Sequence, residues 1–153
     1  MQANLRDGFE LADTHRTLPM LLLRSREAVM EKFRPVLYAH DITEQQWRVI
    51  RVLNERGETD ASKLAELASV LAPSLTRMLR SLETRKLVIV RKDASDGRRS
   101  LISLTDKGRV FIATVAPTSA QIYADIEARV GSELLERLVN DLQALQAALG
   151  EMP

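Results

Sequence analysis

Between Pro73 and Gly108 the chain strings together a helix-forming segment rich in arginine, two short β-forming runs around a basic loop, and Leu104-Thr105-Asp106-Lys107-Gly108 at the mouth of another helix. Few folds accommodate that order. Pro73 suits a first helical turn, where its fixed φ fits and its missing N–H has no bond to lose. Leu75, Met78, Leu79 and Leu82 recur at helical spacing and define a core-facing stripe, while Ser74, Thr76, Arg77, Arg80 and Ser81 fall on the other side. Short hydroxyls and arginines suit the edges of a major groove; they equally suit an ordinary solvated helix face. Ala72 offers no capping side chain, so the first N–H groups stay available to a phosphate.

The next residues narrow the choice. Leu87-Val88-Ile89-Val90-Arg91 and Leu101-Ile102-Ser103-Leu104 read as strands. The loop between them carries the turn former Asp96-Gly97, then Arg98 and Arg99. The result is a β-hairpin with an arginine tip, a wing. A helix followed by a wing sets one element for the major groove and the tip for the minor groove, whose negative potential attracts Arg.

Asp96-x-Arg98, then Leu104-Thr105-x-x-Gly108 after five intervening residues, resembles the wing signature of the MarR family of winged-helix regulators. The resemblance implies that Asp96 braces the wing and that Arg98 enters the minor groove, with Arg99 beside it. Ser74, Thr76, Arg77 and Arg80 would then face the major groove. Leu22-Leu23-Arg24-Ser25-Arg26-Glu27-Ala28, Phe33-Arg34-Pro35 and Thr43-Glu44-Gln45-Gln46-Trp47-Arg48-Val49-Ile50-Arg51 are similar to the subgroup that regulates homoprotocatechuate (4-hydroxyphenylacetate) degradation operons. That subgroup implies a repressor released by a small aromatic carboxylate. Two rivals stand beside it: a regulator of the same fold with another effector, such as an efflux regulator with a broad apolar pocket, and a winged helix used only for protein contacts.

A net charge of +1 for the whole chain argues weakly against a nucleic-acid partner until its distribution is considered. Pro73 to Arg99 holds eight basic and three acidic residues, a local +5, and the remainder sums to −4. Phosphate binding depends on such local surplus. With 45% hydrophobic and 28% charged residues in 153, the chain is long enough for a core and ordinary in composition. No apolar run approaches the roughly 20 residues of a membrane span and the N-terminus lacks a secretory pattern, so the expected location is the cytoplasm. The absence of cysteine excludes disulfides, thiolate metal sites and cysteine-based redox sensing. His15 and His40 are the only histidines and belong to no cluster with ligand spacing, so no metal or cofactor is expected. Neither histidine has a Ser and Asp arrangement, and no glycine loop cradles phosphate; an enzyme is not expected.

Along the chain, residues 1–16 form either an arm that packs on a partner or a disordered lead. Leu18 to about Ala39 reads as a helix with an apolar stripe of Leu22, Val29, Met30, Phe33 and Leu37, which Pro35 should kink or interrupt. Arg26 lies in that stripe, and a buried guanidinium needs an anion. The anion is either an internal carboxylate, such as Glu27 or Glu31 of another protomer, or an aromatic acid held in the bidentate fork. Arg24 is a further candidate. Thr43 and Gln46 make a capping box for a helix burying Trp47, Ile50 and Leu53 and ending near Gly57. Trp47 is a core residue or a ligand wall, and Arg48 joins the ligand candidates only because the family pocket lies near this helix. Asp60 caps a helix from Ala61 to about Ser69, completing a helix-turn-helix with the one from Pro73.

Thr105 should cap a long helix to about Arg129, bent at Pro117, and Ser132 a last one with a seam of Leu135, Leu138, Leu142, Leu145 and Leu149. The expected architecture is mainly α with a small β-hairpin. An arm and dimerisation helix (1–40) precede a winged helix-turn-helix DNA-binding domain (41–108), and C-terminal dimerisation helices follow (109–153). Paired with a twin chain they would form an intertwined homodimer matched to palindromic double-stranded DNA.

Overall fold

A computed structural model describes residues 14–150; most of the expected arm lies outside them. After a single 3-10 turn at Thr14–Arg16, helix α1 spans Leu18–Ala39. It runs through Pro35 without a break. The last turn continues beyond it to Ala39, so the expected interruption does not occur. Phe33 and Leu37 are buried, but Leu22 and Val29, from the same stripe, remain 38% and 41% exposed.

Helix α2, Glu44–Arg56, starts at the expected capping box: Gln46 N–H donates to Thr43 Oγ1 at 3.1 Å and Thr43 N–H to Gln46 Oε1 at 3.0 Å. Its buried side is Gln46, Val49, Ile50 and Leu53; Trp47 is half-buried at the margin of that core, not within it. Gly57 ends the helix at φ 76°, a left-handed value that suits glycine. Strand β1, Thr59–Asp60, leads directly into α3, Ala61–Ala68, and α4 follows at Ala72–Thr84. Leu71 holds the N-cap position of α4 and makes no side-chain cap bond.

Strands β2, Val88–Lys92, and β3, Ser100–Leu104, form the hairpin, with Val90 opposite Ile102. The hairpin is part of a three-stranded antiparallel sheet in the order β1-β3-β2, in which Asp60 pairs with Leu101. Sequence periodicity missed β1, because two residues carry no period. Leu64, Leu75, Leu79, Leu82, Leu87 and Ile102 are buried in one cluster that joins α3, α4 and the sheet. Each such aliphatic side chain contributes about 1.5–3 kcal/mol on burial.

Helix α5 spans Asp106–Val130. Thr105 Oγ1 accepts from Gly108 N–H at 2.9 Å, as a cap, and donates to Lys86 O at 2.6 Å, fastening the start of α5 to the turn before β2. A Cβ at Gly108 would collide with the Leu87 carbonyl oxygen. The glycine of the Leu-Thr-x-x-Gly motif is therefore a close-approach residue.

The chain divides into two compact units, the first ending at Ile112 and the second beginning at Ala113, four residues beyond the expected boundary. In the second unit α5 continues through Pro117, and α6 spans Ser132–Gly150 after Gly131, whose φ is 93°. Ser132 is the first helical residue and not the cap: Leu135 N–H donates to Gly131 O at 3.1 Å. No residue of α6 is buried; Leu134, Leu138, Leu142 and Leu149 are each more than a third exposed.

Candidate nucleic-acid interface and effector site

Helix α4 buries Leu75, Met78, Leu79 and Leu82 and turns Arg77 and Arg80 to solvent. Ser74 is half-buried, and Thr76 Oγ1 donates to Ala72 O at 3.2 Å, which places its hydroxyl against the helix backbone. The ion pairs among the described residues use Arg26, Arg34, Arg51, Lys63, Arg91, Arg99 and Arg109 as cations; Arg77, Arg80 and Arg98 belong to none of them.

At the wing tip, Asp96 Oδ1 accepts from Arg98 N–H at 3.0 Å and Asp96 O accepts from Arg99 N–H at 3.0 Å. Asp96 thus holds the backbone that carries both arginines. Their side chains differ: Arg98 points free of any carboxylate, whereas Arg99 lies 3.2 Å from Asp60 Oδ2 and 3.8 Å from Asp93 Oδ2. The hydrogen bond from Lys63 N–H, and after it Arg99, holds the Asp60 carboxyl below its ordinary range; Ser95, through its N–H and hydroxyl, does so for Asp93. Two other cations of the basic segment are also committed. Arg85 donates to His40 O and Asp41 O and lies over the Phe111 ring, and Arg91 makes a bidentate pair with Glu58 at 2.6 and 3.0 Å. The surplus that remains for a phosphate partner is Arg77, Arg80, Lys86, Lys92 and Arg98.

The four residues expected around an effector make the following contacts among the described residues. Arg24 Nη1 lies 2.9 Å from His15 Nδ1. Arg48 donates to Ala68 O at 2.8 Å and Ser69 O at 3.3 Å, so it satisfies the carbonyls that end α3. Trp47 packs on the core margin. Arg26 is not buried: its side chain is 47% exposed and pairs with Glu27 at 3.0 Å and Glu44 at 2.7 Å of its own chain. Leu22 and Val29, its neighbours in that stripe, are themselves exposed in one protomer.

Sequence reasoning missed Arg34. Its guanidinium completes an alternating network, 2.6 Å from Glu27 and 2.6 Å from Glu44. Burial raises Glu44, but hydrogen bonds from Arg26 and Arg34 outweigh it and the carboxyl lies below its ordinary range. Arg34 is raised, first by Glu27 and then by Glu44. The one available signal was the seven-residue spacing of Glu27 and Arg34, two turns along one face. Beside the network lies an open cleft of about 290 Å³ lined by Leu37, Tyr38, Ile42, Arg34 and Glu44 among others.

A helix-turn-helix with a β-hairpin wing, bearing unpaired arginines on its second helix and at its tip, defines a winged-helix DNA-binding protein. The MarR family model matches residues 42–100. The homoprotocatechuate degradative operon repressor of Escherichia coli is 38% identical over 129 residues, 84% of this chain and 87% of that one. Among solved structures, the transcriptional regulator PA4135 superposes with a TM-score of 0.83 at 39% identity, over 90% of this chain and 98% of that one. NadR, solved in complex with 4-hydroxyphenylacetate, gives 0.74 at 37% identity, over 92% and 97%. The chain belongs to the MarR family, whose members are transcriptional regulators and not enzymes. No helix among the described residues is long and apolar enough to cross a membrane.

Proposed function

We propose that this chain is a homodimeric repressor of an aromatic-acid catabolic operon, released from a palindromic operator by a small aromatic carboxylate. The observation that carries the DNA reading is the selective freedom of Arg77, Arg80 and Arg98 while the neighbouring Arg85, Arg91 and Arg99 are engaged. Arg77 and Arg80, with Ser74 and Thr76, contact the major groove; Arg98 enters the minor groove. The exposed leucines of α6 and the open stripe of α1 supply apolar surface for a twin chain.

The effector reading rests on the Escherichia coli relative and on NadR with its bound 4-hydroxyphenylacetate. In this chain the candidate grip is Arg26, with Arg24 on the same helix and Trp47 on α2 as further candidates. An incoming carboxylate competes there with Glu27 and Glu44 for the guanidinium fork. Arg48 uses its Nε and Nη2 on the carbonyls that end α3 and would reach an effector only through its remaining N–H groups. Release follows by population shift: an acid that binds the released form about tenfold better weakens operator binding by about 1.4 kcal/mol.

The test is fluorescence anisotropy on DNA from the protein's own upstream region, with and without 4-hydroxyphenylacetate and homoprotocatechuate, for wild type and Arg26→Ala. Release of wild type by either acid, blunted in Arg26→Ala without loss of DNA binding, supports the reading. Tight binding that neither acid relieves discards the effector, and loss of the dimer in Arg26→Ala makes that residue structural.

A further inference from the structure

Two carboxylates converge on Arg99, and each offers it only one oxygen. Asp60 ends β1 and caps α3: its Oδ1 accepts from Lys63 N–H at 3.0 Å, and its Oδ2 lies 3.2 Å from Arg99 Nη2. Asp93 opens the wing loop: its Oδ1 accepts from Ser95 N–H at 2.9 Å and Ser95 Oγ at 2.8 Å, and its Oδ2 faces Arg99 Nη1 at 3.8 Å. The register explains the convergence. Asp60 pairs with Leu101, so Arg99, two residues earlier, is its diagonal neighbour on one face of the sheet. Asp93 N–H donates to Arg99 O at 3.0 Å, closing the neck of the loop.

We propose that Arg99 is a positioning residue for DNA binding: it clamps the wing to the first helix of the helix-turn-helix through Asp60, and to the wing neck through Asp93, and so fixes where Arg98 is presented. The proposal rests on the reading of Arg98 as a DNA contact. It moves Arg99 from the set of groove readers expected from sequence to the scaffold behind them. Arg99 also neutralises two carboxylates that would otherwise repel a phosphate backbone.

Asp60→Asn isolates the clamp. An asparagine keeps a side-chain oxygen for Lys63 N–H, so α3 stays capped, but its amide cannot accept from Arg99. Removing a negative charge from a DNA-binding face should by itself tighten binding. The clamp predicts the opposite sign: a loss of about threefold to fivefold, the scale of one exposed ion pair, with the dimer still fully folded at the assay temperature. Anisotropy on upstream DNA, for the full-length dimer, reads this in wild type, Asp60→Asn, Arg98→Ala and the double variant. Coupling is the discriminating readout: once Arg98 is alanine, Asp60→Asn should cost nothing further. Arg99→Lys provides a second arm: it keeps the positive charge but not the fork that reaches both carboxylates, and it should weaken binding only while Arg98 is present.

Tighter binding by Asp60→Asn, or a loss from Asp60→Asn or Arg99→Lys that is as large in the Arg98→Ala background, overturns the clamp and returns Arg99 to the readers. Failure of the wild-type protein to bind duplex DNA would instead overturn the operator reading itself.

Discussion

Arg34 Nε and Glu44 Oε1 lie 2.6 Å apart, joining the last third of α1 to the first turn of α2. Arg26 reaches the other oxygen of the same carboxylate at 2.7 Å, so one acidic residue is held by two cations from one helix. This is the electrostatic link between the helix expected to meet a twin chain and the helix that begins the DNA-binding domain.

Acid should loosen that link. The Glu44 carboxyl lies below its unfolded value, so its contribution is complete above the unfolded pKa and is lost as pH falls through the folded one. Glu44→Gln should lower the melting temperature at neutral pH by about 1–3 °C and flatten its decline below about pH 5. Circular dichroism melts between pH 3 and 7 read both effects; an unchanged acid limb would assign it to other carboxylates, such as Asp60 and Asp93, which are also depressed.

Arg77→Ala and Arg80→Ala should differ from Arg98→Ala in kind. A lost base contact on α4 should reduce operator affinity by about 1–3 kcal/mol while leaving binding to unrelated DNA nearly unaltered. Loss of Arg98 should weaken binding to every sequence. Parallel titrations on the upstream fragment and a scrambled duplex distinguish these outcomes, and equal losses on both duplexes for all three variants would reduce α4 to a phosphate contact.

Gly108→Ala tests the junction of sheet and α5. The added methyl meets the Leu87 carbonyl, and backbone cannot rotate away as a side chain can. Destabilisation of about 1–3 kcal/mol is expected in urea unfolding. Wild-type stability in this variant would show that α5 shifts without strain.

Helix α6 buries nothing in a single protomer, and its exposed leucines need a partner. Leu138→Glu with Leu142→Glu should yield monomers in sedimentation velocity, with helical content retained and operator affinity sharply reduced. A dimer that survives both changes would move the interface elsewhere.

How much of this was legible in the sequence depended on the kind of signal. Leucine spacing located α1 and α4, and Thr43 with Gln46 located the start of α2, because periodicity and capping are local. Strand β1 escaped, since it exists only by pairing with β3. For Arg26 the sequence pointed to a carboxylate partner, and Glu27 is one, but not to its exposure: its stripe includes Leu22 and Val29, which are exposed in one protomer, and a helical pattern does not say whether its partner lies in the same chain. Charge counting likewise treated eight cations alike. Arg85, Arg91 and Arg99 are engaged by carbonyls and carboxylates distant in sequence, at Asp41, Glu58 and Asp60, and that division emerges only once the chain is folded.

The most direct test of the central claim is the salt dependence of binding to upstream DNA. For wild type the logarithm of the association constant should fall linearly with the logarithm of salt concentration, and Arg98→Ala should reduce the slope by about one per protomer. A slope near zero, or one indifferent to Arg98, would contradict the account and leave the wing as a surface for protein contacts.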